Sequence, residues 1–308
     1  MVPAISEEGV ISPYKELMAY EYLYAVEGTS RSKVSNLIQR NGGFPSTAAD
    51  AIDGIVPDEE KRSEVIRYVK GRLGTFSVLV DGTPQFPHGL RAQKNPLPVF
   101  YYRGDINLTQ SRCISVVGTR HPSERGEHAA HRIAAALVRH DFTIVDGLAT
   151  GIDTVVAKTA LEAEGRIIGV IGTPIDRYYP KENEDLQELV ATEHLLISQV
   201  PIYRYDHQSI KTQRFYFPER NITMAALSEA TVIVEAGETS GTRTQARACI
   251  EQHKKLILLP SVVEQTTWAA KMAEYGAVLA KSVAEVLTTI GCNSADGDCR
   301  TRMPAPLG

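Results

Sequence analysis

The most constraining feature of the sequence is a repeated alternation of short apolar runs, glycine-bearing turns and amphipathic segments from Cys113 onward. Because strands that alternate with helices pair through βαβ crossovers, we predict an α/β fold with a doubly wound, mostly parallel sheet. The predicted strands are Cys113 to Val117, Phe142 to Val145, Ile167 to Ile171, Leu195 to Ile197, Thr231 to Glu235, Leu256 to Leu259 and Ala277 to Ala280. The predicted helices lie near Glu124 to His140, Ile152 to Glu164, Glu184 to Ala191, Asn221 to Ser228, Thr242 to Gln252, Thr266 to Tyr275 and Ser282 to Ile290.

The chain before this alternation has a different pattern, with apolar residues at helical spacing. Helices are predicted over Pro13 to Glu27, from Thr29 or Ser30 to Arg40, and from about Pro57 to Lys70, followed by β-like runs at Phe76 to Val80 and Val99 to Tyr102. We therefore predict a small N-terminal helical module (1–74), a sheet domain (75–290) and a polar tail (291–308) that we expect to be poorly ordered.

Composition narrows the function without defining it. The 308 residues include 33 Lys and Arg against 37 Asp and Glu, a formal charge of −4, so any site for a polyanion must be local. Four cysteines are too few for a disulfide scaffold, and the sequence shows neither a signal peptide nor a membrane span, so we expect a cytoplasmic protein. Cys292 and Cys299 lack the closely spaced partners of a zinc site, and we expect no metal and no cofactor.

Three successive predicted strands end in glycine turns. They are Gly118-Thr119-Arg120, the run from Asp146 to Asp153 with Gly147 and Gly151, and Gly172-Thr173. Glycine lets backbone N–H groups approach an anion, and a helix N-terminus adds partial positive charge, so the turns suit phosphate. Glycine is also simply tolerated in tight turns. Neither a GxGxxG fingerprint nor a Walker loop is present.

A second candidate region is the stretch from Tyr203 to Asn221, which interleaves basic and aromatic residues. Cations that follow phosphates and rings that stack on bases are the typical means of holding single-stranded nucleic acid. We interpret the stretch as one loop that offers both. The alternative is that its aromatic residues pack on the core while its charges face water.

A third region, from Glu235 to Thr242, follows a buried-looking strand. Ser240, Gly241 and Thr242 supply further N–H and hydroxyl donors for an anion, although Ser240 or Thr242 is also suited to capping the next helix. No GxSxG elbow, HExxH motif or paired carboxylates accompany these donors. The sequence therefore predicts anion binding without catalysis.

Taken in order, the motifs VVGTR, DGLATGID, DRYYPKEN, FPERN and EAGETSGT, with Pro260 after the next strand, resemble the DNA-processing protein A family (DprA, also called Smf). The resemblance covers about residues 76–260. It implies a Rossmann-like domain that binds single-stranded DNA, forms a homodimer and passes the strand to a RecA-type recombinase during DNA uptake. It further implies that Arg120 and Lys181 contact phosphates and that Arg220 and Asn221 belong to the same pocket.

Together, the residue patterns and the resemblance give one set of expected DNA-binding residues and no catalytic residue. The set is Gly118, Thr119, Arg120, Gly147, Gly151, Lys181, Lys211, Arg214, Phe215, Phe217, Arg220, Asn221, Ser240, Gly241 and Thr242.

The sequence departs from the usual family pattern at four positions. Family members usually have a second Arg at Ile222, Ser at Asp146, His at Lys158 and Glu at Gln199. Asp146 adds a negative charge near the expected phosphate site and Ile222 removes a cation, which favours weaker binding or a different ligand. Lys158 restores one positive charge.

Two other functions stay open on the sequence alone. Nucleotide phosphoribohydrolases of similar fold need a carboxylate where this chain has Gln245, and an amide cannot act as a general base. A module that senses a free nucleotide fits the glycine turns equally well, because such turns do not distinguish a polymer from a monomer.

Overall fold

A computed structural model of the chain describes residues 5–6, 9–53 and 58–292. The strands are β1 (Ile5–Ser6), β2 (Gly9–Val10), β3 (Ser77–Val80), β4 (Val99–Gly104), β5 (Cys113–Val117), β6 (Thr143–Asp146), β7 (Arg166–Ile171), β8 (Leu195–Ser198), β9 (Ala230–Ile233), β10 (Lys255–Leu258) and β11 (Val278–Leu279). The polar tail predicted for 291–308 lies outside the described residues beyond Cys292.

Most of the connections between strands are helical. The helices are α1 (Pro13–Ala25), α2 (Arg31–Arg40), α3 (Pro45–Asp53), α4 (Glu59–Lys70), α5 (His88–Arg91), α6 (Glu124–Arg139), α7 (Ile152–Glu162), α8 (Glu184–Glu193), α9 (Ile202–His207), α10 (Ile210–Gln213), α11 (Tyr216–Leu227), α12 (Thr242–Glu251), α13 (Pro260–Gln265), α14 (Thr267–Glu274) and α15 (Val283–Thr289). Short 3₁₀ turns cover Ile106–Gln110 and Lys181–Asn183.

Strands β3 to β11 form a nine-stranded, mostly parallel sheet in the order β11-β10-β9-β5-β6-β7-β8-β4-β3. This confirms the predicted α/β, doubly wound sheet. Strand β5 pairs in parallel with both β6 and β9, so that Ile114 lies opposite Ile144 and Ala230. The chain leaves this central region in opposite directions, through α6 to β6 and through α12 to β10. Such a reversal of strand order opens a crevice at the carboxyl ends of β5 and β9.

Contacts within the chain group it into two compact units. The first unit comprises residues 1–110 and 169–223, and the second comprises residues 111–168 and 224–308. The second unit contains the parallel strands β5, β6 and β9 to β11. In the first unit β4 runs antiparallel to β3 and β8, with Tyr101 opposite Ser198. The domain bounds suggested by the sequence stay a prediction.

Side-chain caps fix several helix starts as the sequence indicates. The Ser30 hydroxyl accepts the Lys33 N–H at the start of α2, and the Asp58 carboxylate accepts the Lys61 N–H at the start of α4. The sequence analysis missed α3, because glycines 42 and 43 were taken as the end of helical structure in this segment. Helix α3 begins only two residues after Gly43.

The prediction of one loop between Tyr203 and Asn221 is wrong. The structure forms α9, α10 and the start of α11 across this stretch. The Ser209 hydroxyl accepts the Thr212 N–H and begins α10, a local signal that the aromatic and charged pattern obscured.

Cys113 and Cys249 are buried free thiols, and burial raises the pKa of each thiol to about 11. In the described ranges no helix is both long and apolar enough to cross a bilayer. The same ranges contain no cluster of three or more potential metal ligands.

Candidate nucleic-acid interface

The turn after β5 lies at the crevice of the second unit. The Thr119 N–H donates to the Glu235 carbonyl oxygen at 2.8 Å, and the Thr119 carbonyl oxygen accepts the Ile152 N–H at 3.1 Å. A Cβ on Gly118 would lie 2.5 Å from Ile152 Cγ1 and 2.9 Å from the Glu235 carbonyl oxygen. Glycine is therefore required for the three loops to meet, and the exposed side chain of Arg120 extends from this meeting point.

The turn after β6 also requires glycine where the loops approach one another. Gly151 has a φ of +80°, and a Cβ there would overlap the Thr119 carbonyl oxygen and the backbone of Arg120. Asp146 is completely buried, and its carboxylate accepts the Leu148 N–H at 2.6 Å. Gly147 is buried between them. Asp146 thus shapes the turn through a hydrogen bond to its backbone.

Glu235 lies at this crevice, but the sequence did not place it among the candidate site residues. Its carboxylate accepts both the N–H and the hydroxyl of Ser123, at 3.1 and 3.0 Å, at the start of α6. A Cβ on Gly126 would overlap that carboxylate. The N-terminus of α6 attracts negative charge, and here a side chain of the same chain supplies it. The sequence signal that could have drawn attention to Glu235 was an acidic residue at the end of a buried strand.

The stretch Ser240-Gly241-Thr242 begins α12. The Ser240 hydroxyl accepts both the N–H and the hydroxyl of Thr242, at 3.3 and 3.0 Å. Thr242 is buried, while Gly241 is exposed. Three residues into the helix, Gln245 is 1% exposed and its amide donates to the Ser115 hydroxyl on β5 at 2.8 Å. The side chain of Gln245 therefore packs α12 on the sheet.

In the first unit, two adjacent aromatic residues at the junction of α10 and α11 differ in exposure. Phe215 is 69% exposed, whereas Tyr216 is 7% exposed. Lys211 and Arg214 are exposed beside Phe215, and within the described residues neither forms a salt bridge. Tyr216 therefore packs inward, as the alternative interpretation expects, whereas Phe215 is exposed and its role in binding stays a prediction.

Phe217 and Arg220 turn toward the end of β7. The Phe217 ring lies where a Cβ on Gly172 would be 2.6 Å from its edge, and its centroid is 5.1 Å from that of Tyr179. Arg220 is 6% exposed, and its guanidinium donates to the Val170 carbonyl oxygen at 3.2 Å. Asn221, the next residue, is half-buried. The third glycine turn is thus filled by an aromatic ring of the same unit.

Lys181 is exposed and follows the exposed residues Tyr178 and Tyr179 in the chain, and Tyr179 is the residue whose ring contacts Phe217. The two tyrosines are 39% and 45% exposed. They belong to the motif DRYYPKEN, but the sequence analysis assigned them no role. The sequence signal that could have identified them was their position immediately before Pro180 and Lys181. Lys181, like Lys211 and Arg214, is free of salt bridges in the part of the chain that the structure describes.

Neighbouring arginines in the first unit are neutralised. Arg72 pairs with Asp176 at 3.1 Å and with Asp206 at 2.9 Å, and Arg177 pairs with Asp206 at 3.2 Å. Burial alone would raise the pKa of Asp206, but the Tyr68 hydroxyl and the two arginines lower it below its ordinary value. The carboxylate of Asp206 on α9 is therefore paired with Arg72 and Arg177, and among the described residues it forms no ion pair with Lys211 or Arg214.

Glu21 anchors the start of the aromatic stretch. It is completely buried, and its carboxylate accepts the Ile202 and Tyr203 N–H groups at 2.8 and 3.0 Å and the Tyr101 hydroxyl at 2.5 Å. Burial raises the pKa of Glu21 to about 7, although all three hydrogen bonds lower it. A residue of α1 thus fixes the beginning of α9.

The comparison with known families agrees with these motifs and this fold. Residues 77–291, more than half of the chain, match the family described as DNA recombination-mediator protein A. The chain belongs to this family. The resemblance inferred from the ordered motifs is thereby confirmed, and it extends over the sheet domain.

Curated relatives carry the names of the same family. Protein Smf of Synechocystis is 33% identical over 219 residues, which cover 69% of this chain and 54% of that protein. DNA processing protein DprA of Bacillus subtilis is 33% identical over 57% of this chain and 58% of its own length. The chain spans a little more than half the length of these curated relatives.

Solved structures of family members share the fold. DprA from Streptococcus pneumoniae matches with a TM-score of 0.72 at 22% identity, over 90% of this chain and 98% of that chain. DNA processing protein A from Helicobacter pylori matches with a TM-score of 0.59 at 26% identity, over 70% of this chain and 95% of that chain. The structure of the latter is described for its single-stranded DNA binding mode. The fold is thus Rossmann-like, as the resemblance implied.

Proposed function

We propose that this protein binds single-stranded DNA during DNA processing or uptake, protects the strand and passes it to a RecA-type recombinase in the cytoplasm. Membership of a family of recombination mediators supports the general role. The single observation that carries the proposal is the exposed group of Lys211, Arg214 and Phe215 in the first unit. Two cations and one exposed ring, on α10 and in the turn that follows it, suit a single strand because the strand exposes phosphates and base faces together.

The same unit supplies further contacts for the strand. Tyr179 is partly exposed and contacts Phe217, so a base stacked on either ring would lie beside a second aromatic face. Lys181 follows directly in the chain and is a suitable phosphate contact. Arg220 and Asn221 are more enclosed, and we assign them to the wall of this site.

The second unit contributes the glycine turns. Arg120 projects from a turn that Gly118 and Gly151 hold in place, and we propose that its guanidinium contacts a phosphate. Thr119, Gly147, Ser240, Gly241 and Thr242 complete the proposed set in this unit. Because Glu235 already occupies the N-terminus of α6, a phosphate in this region is expected at Arg120 and the exposed Gly241.

Binding of fluorescent single-stranded and duplex oligonucleotides over a salt series tests the proposal. We expect tighter binding of the single strand, with affinity falling as salt rises, and no competition from free nucleotides. Equal affinity for duplex and single strand, or displacement of the strand by micromolar nucleoside monophosphate, would contradict the single-strand assignment.

A homodimer is part of the proposal, and its surface is suggested by the edge of the sheet. Tyr275 is 67% exposed, and Val278 and Leu279 on edge strand β11 are 41% and 44% exposed. An edge strand with bare apolar residues favours pairing with a second copy. Light scattering is expected to give the mass of a dimer, and Leu279→Lys is expected to give a monomer that retains its fold.

We further propose that the protein has no turnover of its own. Gln245, at the position where a phosphoribohydrolase needs a carboxylate, is an amide that packs against Ser115. Incubation with nucleoside monophosphates, triphosphates and single-stranded DNA is expected to release neither base nor phosphate and to leave the strand intact. Activity above background that Arg120→Ala or Arg220→Ala abolishes would make the protein an enzyme.

A further inference from the structure

The second unit contains a cavity of about 320 Å³ that the proposed DNA-binding set does not use. It lies where β9 and β10 end, between the start of α6 and the residues that precede α15. None of the proposed DNA-binding residues lines it. Its volume falls at the lower end of the range of small-molecule sites, and its position at the carboxyl ends of parallel strands is typical of them.

The floor of the cavity is apolar and its rim is basic. Ile133, Val234 and Leu259 lie among the lining residues and are buried. The rim carries Arg125, Arg132 and Lys281, whose side chains are exposed. In the described ranges none of these three cations forms a salt bridge, in a protein whose formal charge is −4.

Arg132 lines both this cavity and a neighbouring one. It lies seven residues after Arg125 on α6, so the two side chains project from one side of the helix about 10 Å apart along its axis. Arg132 and Val283 also line a second cavity of about 190 Å³, which continues along α6 to Arg139. A ligand with a chain of negative charges could thus follow a row of arginines away from the apolar floor.

We propose that this cavity binds a nucleoside phosphate, with its base on the apolar floor and its phosphates on Arg132 and Lys281. The pairing of a flat apolar surface with several cations favours a ligand that is a ring at one end and a polyanion at the other. The lining contains Glu264, the carboxylate that would face the sugar hydroxyls as a hydrogen-bond acceptor. The helix end beside the cavity is not part of the site, because Glu235 already accepts the Ser123 N–H.

None of the residues that line the cavity is a proposed DNA-binding residue, so nucleotide binding can be tested separately from DNA binding. Isothermal titration of the purified protein with ATP, AMP, adenosine and inorganic tripolyphosphate measures the contribution of each part of the ligand. We expect ATP to bind most tightly, because only ATP fills the apolar floor and also reaches the arginine row. Adenosine or tripolyphosphate binding as tightly as ATP would overturn the assignment of the two ends.

Two variants locate the site. Arg132→Ala removes a charged hydrogen-bond donor and is expected to raise the Kd for ATP by about ten- to a hundredfold. Ala129→Phe keeps every charge but fills the cavity with a ring, and is expected to abolish binding. Arg247→Ala, an exposed arginine of α12 in the same unit that does not line the cavity, is the matched control and should leave the Kd unchanged.

Melting temperatures of the variants show whether each one folds, and single-stranded DNA binding is measured on the same samples. Nucleotide binding that persists in both folded variants, that falls equally in Arg247→Ala, or that is absent from the parent protein would overturn the proposal. Full displacement of ATP by single-stranded DNA, with loss of both in Arg120→Ala, would place the nucleotide at the glycine turns and also overturn it. Failure of DNA binding with intact ATP binding would contradict the proposed function alone.

Discussion

The glycine turns of the second unit are shaped by close contacts of the backbone, whereas the basic and aromatic stretch of the first unit is defined by exposed side chains. Gly118 and Gly151 at the turns, and Gly126 in the first turn of α6, lie where any Cβ would meet neighbouring atoms. Lys211 on α10 and Phe215 in the turn before α11 are exposed, and within the described residues Lys211 forms no salt bridge. The first kind of site is fixed by close approach and the second by exposure.

This difference separates the effects of mutation. A change at a glycine turn disturbs the meeting of loops, so its effect on folding precedes any effect on ligand binding. A change at an exposed side chain removes a contact with the ligand and leaves the fold nearly unaffected.

The largest effect is expected for Gly151→Ala. Its φ of +80° disfavours alanine, and the added Cβ would overlap Thr119 and Arg120. Strain and overpacking together should lower the free energy of unfolding by about 3 kcal/mol, as measured by urea denaturation. Gly237→Ala is the control, since a Cβ there has open space and should change stability by less than about 0.5 kcal/mol. Equal losses in both variants would contradict the role of close approach.

A pH series on Glu21→Gln tests how the first unit anchors its aromatic stretch. The pKa of Glu21 is raised by burial from 4.5 to about 7, so the proton is bound more tightly in the folded state. That contribution to stability is complete below pH 4.5 and is lost as the pH rises through 7. Between pH 5 and 8 the parent should lose on the order of 2 kcal/mol that the variant does not lose.

Thermal melts of both proteins at several pH values measure this difference. Parallel curves across the whole range would show that Glu21 does not titrate between its unfolded and folded values.

A paired substitution on α11 and just before it sharpens the contrast within one region. Phe215→Leu should weaken single-strand binding by about 1.5 kcal/mol, a typical stacking contribution, with little change in salt dependence. Tyr216→Leu should instead lower the melting temperature, because that ring is buried. Should Phe215→Leu bind like the parent, the exposed ring would not be a stacking surface.

The smallest effect is expected for Arg120→Ala. The side chain is exposed, so folding should be unchanged, and one lost phosphate contact should reduce the slope of log affinity against log salt by about 0.7. Arg67→Ala, an exposed arginine on α4, is the control and should keep the parent slope. An unchanged slope in Arg120→Ala would remove this residue from the interface.

The sequence alone determined the parallel sheet, the family and the positions of the glycine turns. These features are local, since apolar runs of strand length, glycine after each strand and capping residues such as Ser30 and Ser123 act within a few residues. The ordered motifs identified the family for the same reason, because each motif is a continuous segment. Helix α3 and the helices between Tyr203 and Asn221 were missed where glycine or aromatic residues weakened the helical pattern.

The tertiary structure decided which of the candidate residues are available to a ligand. Phe215 and Tyr216 are adjacent aromatic residues in the sequence, and only the packing of α11 exposes one and buries the other. Glu235 meets Ser123 from 112 positions away along the chain, so although its place at the end of a strand is visible in the sequence, its contact with the start of α6 is not. Burial and long-range pairing depend on how elements pack together, and a single sequence records the elements more directly than their packing.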